Sequence, residues 1–151
     1  MAGKHRHLNR DQWARHALAG LEAAGFRRGG ARRAVIDVLA AEPCAVGALE
    51  IEERLRAGER RVARASVYRA LEQLAELGLV HKLDLGAEAA QYERADPGGD
   101  HHHHMVCDDC GKVLPFSDQG LELAVSQIRD PQGFAVREHE VVLHGACDDC
   151  R

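Results

Sequence analysis

Two Cys-x-x-Cys pairs, Cys107 with Cys110 and Cys147 with Cys150, constrain this chain more than any other feature. Four thiolates at that spacing can close a tetrahedral zinc site, which would tie two distant turns together. His101, His102, His103 and His104 stand just before the first pair. They are more nitrogen donors than a structural zinc needs, so metal is expected both in the fold and in the signal. Redox dithiols or disulfides are the rival reading of the pairs. The first residues lack the apolar stretch of a signal peptide, so a reducing cytoplasmic location is expected, and there paired cysteines read as metal ligands first. Cys44 lies apart and reads as a small buried residue.

The chain has 151 residues, enough for one ordinary domain or two small ones. Aromatic content is only 4%, so any core must rely on Leu, Val, Ile and Ala. The net charge of -4 conceals a split. Residues 1–82 carry 15 Lys+Arg against 10 Asp+Glu, whereas residues 83–151 carry 5 against 14. A basic half suits a polyanion such as DNA and an acidic half does not, so two modules with different partners are expected. No apolar run approaches the roughly 20 residues that span a bilayer, and no membrane partner is expected.

Apolar residues recur at helical spacing over residues 11–25, 31–41, 48–57 and 65–77. Gly25, Pro43, Gly58 and Gly78 supply the stops. The period then shortens to that of a hairpin, with Leu79, Val80, Leu83 and Leu85 before Gly86 and a second strand reaching Tyr92. Helices followed by a hairpin make a winged helix-turn-helix. Strands are expected over 102–107, 112–116 and 136–143, with a helix over 121–128. The fold class is therefore α+β: a winged-helix DNA-binding domain (1–94), a hinge (95–100) and a small α/β domain with a Cys₄ zinc site (101–151).

The fourth helix opens with Arg64, Ser66, Tyr68 and Arg69. In a helix-turn-helix the start of the recognition helix enters the major groove, where Arg holds phosphates or forks onto guanine. Arg28 and Arg32, around the start of the second helix, could clamp backbone. A solvated helix face is the blander reading of these arginines, and the charge split argues against it.

An extended strand alternates its side chains, so His102 and His104 would face one way and His101 and His103 the other. His81 and Glu93 on the hairpin could join the first pair, giving three nitrogens and one carboxylate, suited to zinc or ferrous iron. Glu122 and His139 could join the second pair.

These motifs resemble the ferric uptake regulator superfamily. The resemblance is carried by Ser66-Val67-Tyr68-Arg69-Ala70-Leu71, by Leu77-Gly78-Leu79-Val80, by the run from His101 to Lys112, and by His144-Gly145-Ala146-Cys147-Asp148-Asp149-Cys150. It implies a metal-dependent, dimeric transcription regulator with a winged-helix domain, a hinge and an α/β dimerisation domain. It assigns Cys107, Cys110, Cys147 and Cys150 to structural Zn²⁺, and Glu93, His102 and His104 to a sensory site. His81 matches a sensory position used in zinc-responsive members. His101, His103, Glu122 and His139 match an additional site. Residues 78–82 look more like the zinc uptake branch than the iron branch. Three positions depart from the pattern: Ala45, with Cys44 adjacent, replaces a histidine, Pro115 replaces a carboxylate, and Gly29-Gly30-Ala31-Arg32 replaces Thr-x-x-Arg.

The expected function is repression of metal-uptake genes by a homodimer on a palindromic double-stranded operator, with Zn²⁺ or Fe²⁺ as the regulatory ion. A peroxide sensor of the same family is the alternative. A zinc hydrolase is disfavoured because no His-Glu-x-x-His pattern is present and a basic recognition helix would have no purpose, so no enzyme activity is expected.

Overall fold

The computed structural model describes residues 8–27, 29–58, 61–86, 89–98, 102–128, 133–134 and 136–151, and the chain divides into two compact units, Met1–Asp100 and His101–Arg151. In the first unit, Asn9 starts helix α1 (Arg10–Ala23) with a capping box. Its side chain accepts from the Gln12 N–H, and the Gln12 side chain accepts from the Asn9 N–H. Helix α2 (Gly30–Ala41) stops at Glu42, whose extended backbone suits the residue before a proline. Helix α3 (Ala48–Ala57) stops at Gly58. Helix α4 (Arg64–Glu76) ends where Gly78 takes φ +65°, and the Gly78 and Leu79 N–H groups then bond back to Ala75 and Leu74. All four helices lie within two residues of their expected positions.

Strands β2 (Val80–Leu83) and β3 (Gln91–Arg94) form the expected antiparallel hairpin. An unexpected strand, β1 (Val46–Gly47), pairs with the other edge of β3 and gives the order β1-β3-β2. Two residues are too few to show a period of two, so periodicity could not reveal it. Trp13, Ile36, Leu39, Ile51, Val67, Leu71, Leu74 and Tyr92 fill the core of this unit. The Trp13 indole donates to Ala95 O (3.1 Å), and Asp96 accepts from Leu8 N (3.0 Å). The first two residues of the expected hinge are thus bonded to the first unit, while residues 99 and 100 lie outside the described residues.

In the second unit, β4 (His103–Cys107) is central. It pairs antiparallel with β5 (Val113–Phe116) and parallel with β6 (Val142–Gly145), in the order β5-β4-β6. Asp118 caps helix α5 (Gln119–Ser126) by accepting from Leu121 N (2.7 Å). The strand expected over 136–143 begins only at Val142. Residues 137–140 read Arg-Glu-His-Glu and carry no apolar alternation, and the Val141 N–H donates to the His103 ring (3.3 Å). A side chain there takes the place of a strand partner.

The interior of this second unit is unusual. His103 and His104 are 1% and 3% exposed, beside Val106 and Cys107, and no residue of α5 is buried. Among the described residues no helix is long and apolar enough to cross a membrane.

Candidate metal centres and nucleic-acid surface

The structure brings Cys107, Cys110, Cys147 and Cys150 together, with all four sulfurs within 4.8 Å of one another. Each pair closes a tight turn, by Gly111 N to Cys107 O (2.9 Å) and by Cys150 N to Cys147 O (3.0 Å). His144 on β6 contacts Asp108 of the first turn (2.9 Å), and Lys112, just after that turn, contacts Asp149 of the second (3.3 Å). The Cys110 and Cys147 sulfurs are 3.8 Å apart. A tetrahedron with Zn–S bonds of about 2.3 Å has edges of about 3.8 Å, so the spacing fits zinc.

The thiol chemistry fits as well. Backbone N–H groups of Cys147 and Cys110 point at the Cys107 sulfur and hold its thiol down to about 6. The neighbouring sulfurs of Cys147, Cys110 and Cys107 push Cys150 up to about 12. Four sulfurs this close cannot all ionise without a countercharge, which a divalent cation supplies. No disulfide joins any of the cysteines.

A second group forms on one face of β4. His103 Nε2 lies 2.7 Å from Glu122 Oε1, and His139 Nε2 lies 3.1 Å from Glu122 Oε2. The ligating atoms of His103, Glu122 and His139 are all within 4.8 Å of one another. Two imidazoles and a carboxylate in this arrangement suit zinc or another first-row divalent ion. His101, expected as the fourth member, lies outside the described residues.

On the opposite face, the His102 and His104 rings meet edge to face, with centroids 5.0 Å apart. Their ligating nitrogens are within 4.8 Å of each other. His104 Nδ1 also lies 3.8 Å from Glu140 Oε1, a carboxylate that sequence reasoning passed over. In the first unit, the Glu93 carboxylate lies within 4.8 Å of the Cys44 sulfur. His81 sits opposite Glu93 in the β2–β3 register, but it is exposed and belongs to no group of converging ligands among the described residues. Cys44, expected from sequence to be a small buried residue, is buried and stands beside the Glu93 carboxylate. It follows Pro43 in a bend, and nothing in its local pattern links it to a strand almost fifty positions away.

Helix α4 separates its faces. Val67, Ala70, Leu71 and Leu74 are buried, whereas Arg64 and Arg69 are exposed and Ser66 and Tyr68 are half-buried. The Arg64 guanidinium lies over the Tyr68 ring (5.5 Å) and 3.5 Å from Glu52. Arg32, expected to clamp DNA, is engaged within the protein. It donates to Gln73 Oε1 (2.7 Å) and Arg27 O (3.1 Å) and covers the Phe26 ring (5.1 Å). It thereby fastens α2 to α4. Arg28 lies outside the described residues. Glu72 Oε1 accepts from Lys82 (2.7 Å) and from the Tyr92 hydroxyl (3.0 Å), fixing α4 to the wing strands.

The sequence profile of the ferric uptake regulator family matches residues 23–144. The ferric uptake regulation protein of Shigella flexneri is 33% identical over 135 residues, covering 87% of this chain and 89% of that one. The corresponding protein of Bordetella parapertussis is 32% identical over 106 residues, covering 70% and 75%. The crystal structure of the Vibrio cholerae ferric uptake regulator superposes with a TM-score of 0.75 at 28% identity, covering 85% and 98%. The chain belongs to the ferric uptake regulator family and is a metal-dependent transcription regulator, not an enzyme.

Proposed function

We propose that this regulator is a cytoplasmic, homodimeric repressor of metal-uptake genes that reads a palindromic operator when zinc or ferrous iron is plentiful. The observation that carries the reading is the division of labour along β4. His103 joins Glu122 and His139 on one face, while His104 joins His102 on the other. One strand therefore serves two ligand groups, next to a Cys₄ group at its end.

Cys107, Cys110, Cys147 and Cys150 would hold structural Zn²⁺. His103, Glu122 and His139, with His101, would form the additional site. The sensory site would draw His102 and His104 from the second unit and Glu93 from the first, with His81 as the fourth donor expected from sequence. A bound divalent cation would supply the attraction that holds these donors together. Donors from both units sharing one site would restrict how α4 is presented, so that two recognition helices in a dimer match the half-site spacing of an operator. On α4, Arg64 and Arg69, with Ser66 and Tyr68, would meet phosphates and base edges. Family membership supports the dimer and the DNA partner.

Operator retardation titrated with buffered zinc, ferrous iron, manganese and nickel tests the reading. The paired substitution His102→Ala, His104→Ala is expected to abolish metal-dependent retardation while leaving a folded dimer by circular dichroism and sedimentation. Equal operator affinity with and without metal, in parent and variant alike, would defeat it.

A further inference from the structure

Resting on the DNA-reading role proposed for α4, we infer that Glu52 is a positioning residue for Arg64. Its buried carboxylate holds the Nε edge of that guanidinium, so that the two terminal nitrogens are presented to fork onto a guanine. The buried residues of α3 are Ala48, Ile51, Glu52 and Leu55, the i, i+3, i+4 and i+7 positions of one helical face. Three are apolar, as a core face requires, and the fourth is a glutamate. Glu50 and Glu53, on the same helix, are exposed.

A carboxylate in a core face is costly unless it is paired and hydrogen-bonded. Glu52 Oε2 is buried and accepts no hydrogen bond among the described residues, and Arg64 Nε lies 3.5 Å from it, at ion-pair distance. Capping of α4 does not account for this oxygen. Ala63 leaves the start of that helix without a side-chain cap, yet Oε2 accepts from none of the N–H groups there. A charge kept in the core with so little to satisfy it has a role other than stability.

That role is read from Arg64. Glu52 stands at its Nε edge, and the Tyr68 ring, one turn further along α4, lies 5.5 Å from the guanidinium carbon. The Arg64 side chain is nevertheless 66% exposed, which leaves the edge carrying Nη1 and Nη2 for a ligand. Two parallel N–H donors match guanine O6 and N7. A phosphate contact needs only positive charge and tolerates a loose side chain, and a carboxylate beneath the arginine would weaken it. A base contact gains from the same carboxylate, because a guanidinium already held in place loses less freedom on binding. Arg64 is the first residue of α4, where a recognition helix meets base edges.

The test uses metal-loaded full-length protein to select duplexes from a randomised pool, after which each base pair of the selected half-site is replaced in turn. Arg64→Lys keeps the charge without the fork and is expected to lose its preference for one guanine by about 10- to 100-fold. Glu52→Gln keeps the shape and removes the charge. It is expected to lose most of that same preference and no other, while an unrelated duplex binds no more weakly, since a negative charge near the phosphates has gone. A merely structural role would weaken binding to every duplex alike, and that outcome overturns the inference. So does a guanine preference that survives in Glu52→Gln but not in Arg64→Lys, which leaves the repressor reading standing. Arg64→Lys with every base preference intact overturns it as well. One measurement needs no variant: the Arg64 Nε proton of the parent, followed by NMR, is expected to exchange with water more slowly than that of Arg69, exposed on the same helix. Equal rates overturn the inference. If the parent enriches no duplex at all, the repressor reading itself fails, and the assignment of Glu52 with it.

Discussion

The two units solve the folding problem by different means. The first encloses Trp13, Ile36, Leu39, Ile51, Val67, Leu71, Leu74 and Tyr92, an apolar interior of the usual kind. The second is about 50 residues long, and its interior holds His103, His104 and Cys107 where the first has Leu and Ile. Hydrophobic burial alone seldom stabilises a domain of that size. Most of the large apolar side chains that remain exposed also belong to the second unit, among them Leu123, Ile128, Phe134 and Leu143. Such a surface is what a second copy of the chain would cover. The first unit thus gathers apolar side chains in its interior, whereas the second gathers metal-ligating side chains and leaves apolar ones exposed.

The largest expected effect separates the two directly. Removing zinc with a strong chelator, or substituting Cys107→Ser, takes away metal-binding energy on the scale of about 10–16 kcal/mol. Amides of β4, β5 and β6 are expected to lose their protection in hydrogen exchange, while those of α2 and α4 keep theirs. Loss of protection in both units together would show that they fold as one.

A smaller effect tests the other side. Leu71 is fully buried on α4, and Leu71→Ala is expected to cost about 2–5 kcal/mol. That loss, read from denaturant unfolding of the first unit, should be the same with and without added zinc. A zinc-dependent loss would mean that the apolar core leans on the metal sites.

How much of this was legible in the sequence follows the same division. The four helices show because their apolar residues recur every three or four positions and because Gly25, Gly58 and Gly78 mark the ends. The Cys₄ group shows because spacing alone defines it. The split of the histidine run shows because strand side chains alternate, and the grouping of His103 with Glu122 and His139 follows that alternation. What sequence could not show depends on pairing between distant segments. Strand β1 exists only through β3, and β6 starts late because the His103 ring meets Val141 N. The approach of Cys44 to Glu93, and the bond from Arg32 Nε–H to Gln73, 41 positions away, likewise join segments that no local pattern connects.

The smallest expected effect probes the polar fastening between α4 and the wing, within the unit that otherwise relies on apolar contacts. Glu72 accepts from both Lys82 and Tyr92, and its carboxyl lies below its ordinary value of 4.5, first because of Lys82 and then because of Tyr92. A group whose folded pKa is depressed adds stability above its unfolded pKa and loses it as pH falls through the folded value. The contribution should therefore be complete at neutral pH and should fade as pH drops below about 4.5. Tyr92→Phe keeps the buried ring and removes one of the two donors. The carboxylate is half-exposed, so water can replace part of the lost bond, and the expected cost at neutral pH is about 1 kcal/mol. The cost should shrink toward zero below the pH at which Glu72 takes up its proton. A loss that is large and independent of pH would show that Tyr92 acts through packing rather than through Glu72.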